Sequence, residues 1–217
     1  MNILAIDSIG NKTSVASKIG DDLLSISVDH KRKDRPDWQN LLKTINVTSN
    51  DLSAFDLFVF GQGPGSYTSI RSVATFLKAI ALVQQKPLMA LSNLECIAFG
   101  HSLFFTNDSI IHTSIASDID SEVYYSSYEL KNSLLTSVSD ESLMARDELD
   151  KLFLANKDDT FIGNGWLDLP EGAEKTSDAS TMIELALVRY SNDKEYNPKD
   201  ANPIYIKDTS YKKLNDQ

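Results

Sequence analysis

The feature that most restricts this chain is an order of local patterns that occurs twice. "NILAID" at residues 2–7 is a continuous apolar run closed by Asp7. Two alternating segments follow at 12–20 and 21–30. Thr13, Val15, Ser17 and Ile19 share one side of the first, and Leu24, Ile26 and Val28 share one side of the second. A continuous run fits a strand buried on both faces, and alternation fits a strand with one wet face. Gly20-Asp21 between the segments suits a tight hairpin turn. Helical spacing comes next, with Trp38, Leu41, Leu42 and Ile45 at i, i+3, i+4 and i+7. Pro36 falls in that helix's first turn, where its missing N–H would be unpaired anyway. At residue 109 the order restarts. "SIIHTSIAS" (109–117) reaches Asp118, segments 122–130 and 133–139 are its hairpin partners, and 146–156 is a helix.

Between these blocks the chain predicts a buried strand at 55–61, a glycine loop, a helix at 69–85, a strand at 87–92 and a helix at 93–103. After them come a strand at 160–165, a helix at 178–192 and an extended segment at 203–208. The expected fold class is α/β with two subdomains, residues 1–104 and 105–217. The halves share negligible sequence identity, so the duplication rests on order alone. The order resembles the duplicated ribonuclease-H-like architecture of the actin, sugar kinase and Hsp70 (ASKHA) superfamily. Two subdomains there face each other across a cleft, with the first hairpin of each pointing into it. Asp7 and Asp118 are the cleft residues this layout singles out.

Charge narrows the partners. The 217 residues carry 31 acidic against 21 basic side chains, a net charge of -10. A nucleic-acid binder neutralises phosphates with a basic stripe. Here the basic clusters are short: His30 to Arg35, and Lys207, Lys212 and Lys213 near the end. Direct RNA binding is not expected, whereas a basic partner protein is. The start reads as a strand rather than a signal peptide, and no apolar run is long enough to span a membrane. Cys96 is the sole cysteine, so no internal disulfide can form. These points read as a cytoplasmic protein without a membrane role.

The loop "GQGPGSYTSIR" (61–71) invites phosphate or nucleophile chemistry, and each template fails at a definite residue. A Walker loop needs lysine directly after its last glycine, but Ser66 and Tyr67 follow Gly65. A dinucleotide fingerprint needs a third glycine where Ser66 stands. A nucleophile elbow needs glycine where Thr68 stands. Ser66 therefore reads as a helix cap whose hydroxyl accepts a backbone N–H. His30, His101 and His112 lack metal-ligand spacing. In kinases of this architecture, aspartates placed like Asp7 and Asp118 hold Mg²⁺ or act as bases. The glycines that admit phosphate are missing after Asp118, and only Gly10 follows Asp7. No catalytic residue, metal site or cofactor site is expected.

The helix after the loop carries a wide apolar arc of roughly 220°, counted at 100° per residue. It includes Ile70, Val73, Ala74, Phe76, Leu77, Ala79, Ile80, Ala81 and Val83, with Arg71, Thr75, Lys78 and Gln85 on the polar edge. The excess is covered either by the helix from Trp38 to Ile45 or by another chain.

"NILAID", "GPGSYTSIR" and "SVATFLKAIAL" closely resemble the TsaB (YeaZ) family. "PLMALSNLECIA", "DIDSEVYYSSY", "GNGW" and "PIYIKDTSYKK" support the resemblance in the right order. The family pattern G-S-[FY]-T-G-[LIV]-R has glycine where Ser69 stands. The family's first helix carries a histidine near its start, where Asp37 and Trp38 stand here. The resemblance implies a non-catalytic subunit of the bacterial machinery making N6-threonylcarbamoyladenosine at position 37 of tRNA. It implies binding to the catalytic subunit TsaD, contact with the ATPase TsaE through the complex, and a homodimer when alone. tRNA would be met only through the complex, with ATP and a divalent metal on partner subunits. The implied partner surface is Trp38, Leu41, Leu42, Ile45, Gly63, Pro64, Gly65, Ser66, Tyr67, Thr68, Ile70, Arg71, Val73, Ala74, Leu77 and Ala81. The rivals are an independent ATP-dependent phosphotransferase of the same fold and a glycoprotease-like peptidase.

Overall fold

The computed structural model describes residues 1–30, 37–105, 108–166 and 175–206. The chain opens with β1 (Ile3–Ile9), β2 (Lys12–Ile19) and β3 (Asp22–Asp29) as an antiparallel meander. Gly20 turns the second hairpin at φ 59°, a left-handed conformation that costs glycine no Cβ clash. After α1 (Trp38–Thr44) and a 3-10 turn at Leu52–Ala54, β4 (Leu57–Gly61) pairs parallel to β1. Then α2 (Tyr67–Gln84) leads to β5 (Leu88–Leu91), which pairs parallel to β4. The strand order is β3-β2-β1-β4-β5.

α3 (Asn93–Ser102) connects to the second sheet, built from β6 (Ser109–Ala116), β7 (Glu122–Lys131), β8 (Leu134–Ser137), β9 (Ser142–Ala145) and β10 (Thr160–Ile162). α4 (Arg146–Ala155) precedes β10, and α5 (Ala179–Arg189) follows it. β6 is antiparallel to β7 and parallel to β10, as β1 is to β2 and β4, so the expected duplication holds at the level of pairing. β9 was not expected. β8 takes one end of β7 and β9 the other. Four residues are too few for a period of two to stand out.

Strand alternation explains the layers. Leu4 and Ile6 of β1 join Phe58, Phe60, Val73 and Leu77 in a core beneath α1 and α2. Ile3, Ala5 and Ile9 point the other way, into a core shared with Leu57, Val59, Leu94, Met182 and Ile183. α5 lies on this face of the first sheet, and α3 packs on β6, β7 and β8. The boundary near residue 104 therefore separates the sheets in sequence, while each half contributes a helix to the layer between them. α4 covers the far face of the second sheet, with Leu149 and Phe153 against Phe161 and Trp166. Full burial of one such side chain contributes ~1.5–3 kcal/mol.

The helix starts differ from expectation. α1 is capped by Asp37, whose carboxylate accepts the Asn40 N–H at 3.1 Å, and Pro36 lies outside the described residues. α2 begins at Tyr67 and ends against Gln85 at φ 54°. Residues 203–206 carry no regular secondary structure, and 207–208 lie outside the described residues. Among the described residues no helix is long and apolar enough to cross a membrane.

Candidate functional site: the glycine loop and the outer face of α2

The glycine loop is filled from within the chain. Asn93, the first residue of α3, is its hub. Asn93 Oδ1 accepts the Gly63 N–H at 2.8 Å, and the Gly63 carbonyl accepts the Asn93 N–H at 2.9 Å. The Asn93 amide donates to Asp7 Oδ1 at 2.8 Å and to Ser177 Oγ at 2.8 Å. Ser177 in turn donates to Asp7 Oδ2 at 2.6 Å. Gly61 is glycine because a Cβ there would lie 2.6 Å from Asn93 Nδ2 and 2.7 Å from Met182 Cε, and closer still to Asp7 Oδ1. A Cβ on Gly63, whose φ is 110°, would reach the Ile204 carbonyl at 3.0 Å. The glycines let the backbone approach the chain's own side chains and the backbone at Ile204.

Asp7 is 2% exposed. Burial pushes its carboxyl up to about 6, against the opposing pull of the Ser177 and Asn93 hydrogen bonds and with a smaller push from Asp178. Both oxygens are engaged, so this carboxylate does not fit a metal–nucleotide site. A cleft of about 1430 Å³ opens between the halves, and its lining includes Gly10, Lys12, Asp118 and Thr176 but not Asp7. The expectation that both Asp7 and Asp118 are cleft residues is therefore corrected for Asp7, which is sealed in the core. Asp7 sits two residues before the end of β1, and Asp118 two residues past the end of β6. Asp118 is exposed on a turn, where the Ser117 hydroxyl donates to it at 3.1 Å.

Ser66 occupies the cap position of α2, but its hydroxyl caps no backbone N–H. It accepts instead from the Ser69 hydroxyl at 3.3 Å. The histidines are dispersed. His112 lies between the Tyr125 hydroxyl at 2.7 Å and Asp159 at 2.9 Å, and His101 stacks on Phe105. Among the described residues no three His, Cys, Asp or Glu side chains converge on a metal position.

α2 has two unlike faces. Ile70, Val73, Ala74, Leu77 and Ala81 are buried on the sheet. Thr68, Ser72, Thr75, Ala79, Leu82 and Val83 face outward, and Val83 is 78% exposed. At the flank of this face, the Phe76 ring stacks on Trp38 of α1, with centroids 5.5 Å apart.

The family model described as TsaD, tRNA N6-adenosine threonylcarbamoyltransferase, matches residues 26–180. The TsaB protein of Bacillus subtilis, a tRNA threonylcarbamoyladenosine biosynthesis protein, is 30% identical over 170 residues, 76% of this chain and 71% of that protein. The chain belongs to the TsaB family. Escherichia coli TsaB is 23% identical over 99% of this chain and 98% of its own length. The solved structure of YeaZ from Pseudomonas aeruginosa superimposes with a TM-score of 0.76 at 24% identity, covering 94% of this chain and 99% of that one.

For this TsaB-family chain, the expected partner surface needs correction. Leu41, Leu42, Ile45, Ile70, Val73, Ala74, Leu77 and Ala81 are at most 9% exposed. All but Ile70 join one core cluster, because the α1 helix and the sheet together cover most of the wide apolar arc, and Ile70 is buried against Gly63 and Gly65 of the loop. Gly63 and Pro64 are buried, while Gly65 and Ser66 are half-buried. Of the expected residues, Tyr67, Thr68 and Arg71 are exposed and Trp38 is half-buried. The sequence reading missed Asn93 and Ser177. Asn93 is separated from Asp7 by 86 residues, and no local spacing reports such a contact. Leu82 and Val83 carried a signal: they lie one and two residues beyond the buried i, i+4 ladder that ends at Ala81.

Proposed function

We propose that this chain is a non-catalytic subunit in tRNA threonylcarbamoyladenosine biosynthesis, docking a TsaD-type catalytic subunit through the outward face of α2 and the Trp38–Phe76 stack. The observation that carries the reading is the closed Asp7–Asn93–Ser177 network in a TsaB-family chain. Asp7, one of the two aspartates placed for phosphate chemistry, is engaged with the chain's own groups. ATP, divalent metal and tRNA then belong to partner subunits, among them a TsaE-type ATPase. The working compartment is the cytoplasm, where tRNA is modified.

The outward face supports docking on physical grounds. Ser72, Thr75 and Ala79 are small enough to let a second helix approach closely, and Leu82 and Val83 offer apolar contact beside them. Reconstitution with catalytic subunit, ATPase, threonylcarbamoyl adenylate and tRNA tests the proposal. Product is expected to form at least ten-fold faster when this chain is present. Equal rates with and without it overturn the reading, and saturable Mg-ATP binding to the chain alone replaces it with the phosphotransferase. Val83→Asp is expected to abolish co-purification with the catalytic subunit while leaving Tm unchanged, because the side chain lies outside the core.

A further inference from the structure

The last described residues form a strap that crosses the glycine loop and one edge of α2. The Ile204 N–H donates to the Gln62 carbonyl at 2.8 Å, extending the loop by a backbone bond. The Tyr205 ring meets Tyr67 with centroids 4.7 Å apart. Lys78 Nζ donates to Asn202 Oδ1 at 2.6 Å and to the Lys199 carbonyl at 3.3 Å. Between strap and helix lies a groove of about 380 Å³ lined by Tyr67, Arg71, Thr75, Lys78, Asn202 and Tyr205, among others.

Two cations stand in this groove. Arg71 donates to the Tyr67 hydroxyl at 2.7 Å and lies over that ring at 4.9 Å. Among the described residues, every acceptor that Arg71 and Lys78 use is neutral and no carboxylate pairs with either. Neutral acceptors fix the direction of each cation without cancelling its charge, so the ordering cost of pairing is already met. Positions 71 and 78 are seven residues apart, nearly two full turns, so both project along one edge of the helix about 10 Å apart.

We infer that the groove between α2 and the strap receives an acidic segment of the docking partner, with two carboxylates about 10 Å apart seated on Arg71 and Lys78 and its apolar stem against Tyr67 and Tyr205. This rests on the docking role proposed above and names the chemistry of that interface. The spacing matches acidic residues at i and i+7 of a helix, nearly two turns apart on one face. A nucleic-acid occupant fits less well. Two cations are few beside the roughly 6–10 phosphate contacts a DNA-binding protein can make, and the overall charge repels a polyanion. A short acidic segment feels mainly the adjacent cations, because charges beyond about 8–10 Å are screened at physiological salt.

The test measures affinity for the catalytic subunit across a range of salt concentrations. The wild-type chain is expected to bind with affinity that falls as salt rises. Arg71→Ala/Lys78→Ala is expected to lose at least ten-fold in affinity and most of the salt slope, at unchanged Tm. Arg71→Lys/Lys78→Arg, which keeps both charges, is expected to restore the slope. Equal affinity and slope in wild type and the double alanine variant overturn the inference while leaving the docking role intact. If wild type itself does not bind, the docking role fails, and the inference with it. If the isolated chain instead binds tRNA and the double alanine variant loses that binding, the groove belongs to RNA and the inference is overturned.

Discussion

Asp7 and Asp118 follow the same local pattern, an apolar strand that ends in an aspartate before a hairpin. One is sealed inside the molecule with both oxygens hydrogen-bonded; the other is exposed on a turn that lines the cleft. The difference is one of position along the strand. β1 continues two residues past Asp7, so the side chain points inward to the layer that holds α3 and α5, whereas β6 stops two residues before Asp118. Two halves can keep the same strand pairing while their acids take unrelated environments. The pairing preserves the fold, and only the environment decides whether an aspartate can serve chemistry.

The largest expected effect comes from breaking the enclosure of Asp7. Gly61→Val places atoms against Asp7, Asn93 and Met182 at once. The Asp7–Asn93 contact must open, leaving a buried carboxylate and amide short of partners. Overpacking and unsatisfied buried polar groups together are expected to destabilise the fold by about 4 kcal/mol or more. Urea unfolding measures this. A loss below about 1 kcal/mol, the ordinary scale of a point substitution, would mean that the enclosure is loose and Asp7 is more like Asp118 than described.

Much of this was legible in the sequence. The strand and helix order, the hairpin at Gly20 and the failure of every phosphate template follow from local spacing, and local spacing is what pattern reading measures. The enclosure was not legible, because Asn93 and Ser177 reach Asp7 from distant parts of the chain. The partner surface was legible only in part. A wide arc on α2 says how much apolar surface needs cover, not which portion α1 and the sheet provide. Thus Leu77 and Ala74 turned out to be core, and Leu82 and Val83 to be surface. Cap identity also escaped: Ser66 stands at the right position, but Ser69 provides its hydrogen bond in place of the backbone.

A smaller effect separates the two aspartates by pH. Asp7 moves from 3.8 to about 6 in the folded chain. Between those values the folded chain holds a proton that the unfolded chain has released. Stability from this group is therefore fully present below 3.8, declines as pH rises, and is lost once pH passes about 6. At neutral pH the ionised group lowers stability by about 3 kcal/mol relative to a carboxyl with the ordinary value, at about 1.4 kcal/mol per unit. Asp7→Asn removes the titration. Relative to wild type, the variant is expected to gain stability as pH rises through that window, read as diverging urea midpoints. Parallel curves for the two proteins would place the Asp7 carboxyl in a wetter setting.

The smallest effect belongs to Asp118→Asn. The residue is exposed, and its hydrogen bond with Ser117 is one that an amide oxygen also accepts. Stability is expected to change by no more than about 0.5 kcal/mol, a Tm shift of about 2 °C or less for a chain of this size. The informative measurement is the double variant with Asp7→Asn. The two side chains share no hydrogen-bond partner named above, so their effects should add to within about 0.5 kcal/mol. A coupling larger than that would mean that the two carboxylates sense each other across the cleft. In that case Asp7 would face the cleft as the strand order led one to expect, and the distinction between a sealed and an exposed aspartate would have to be given up.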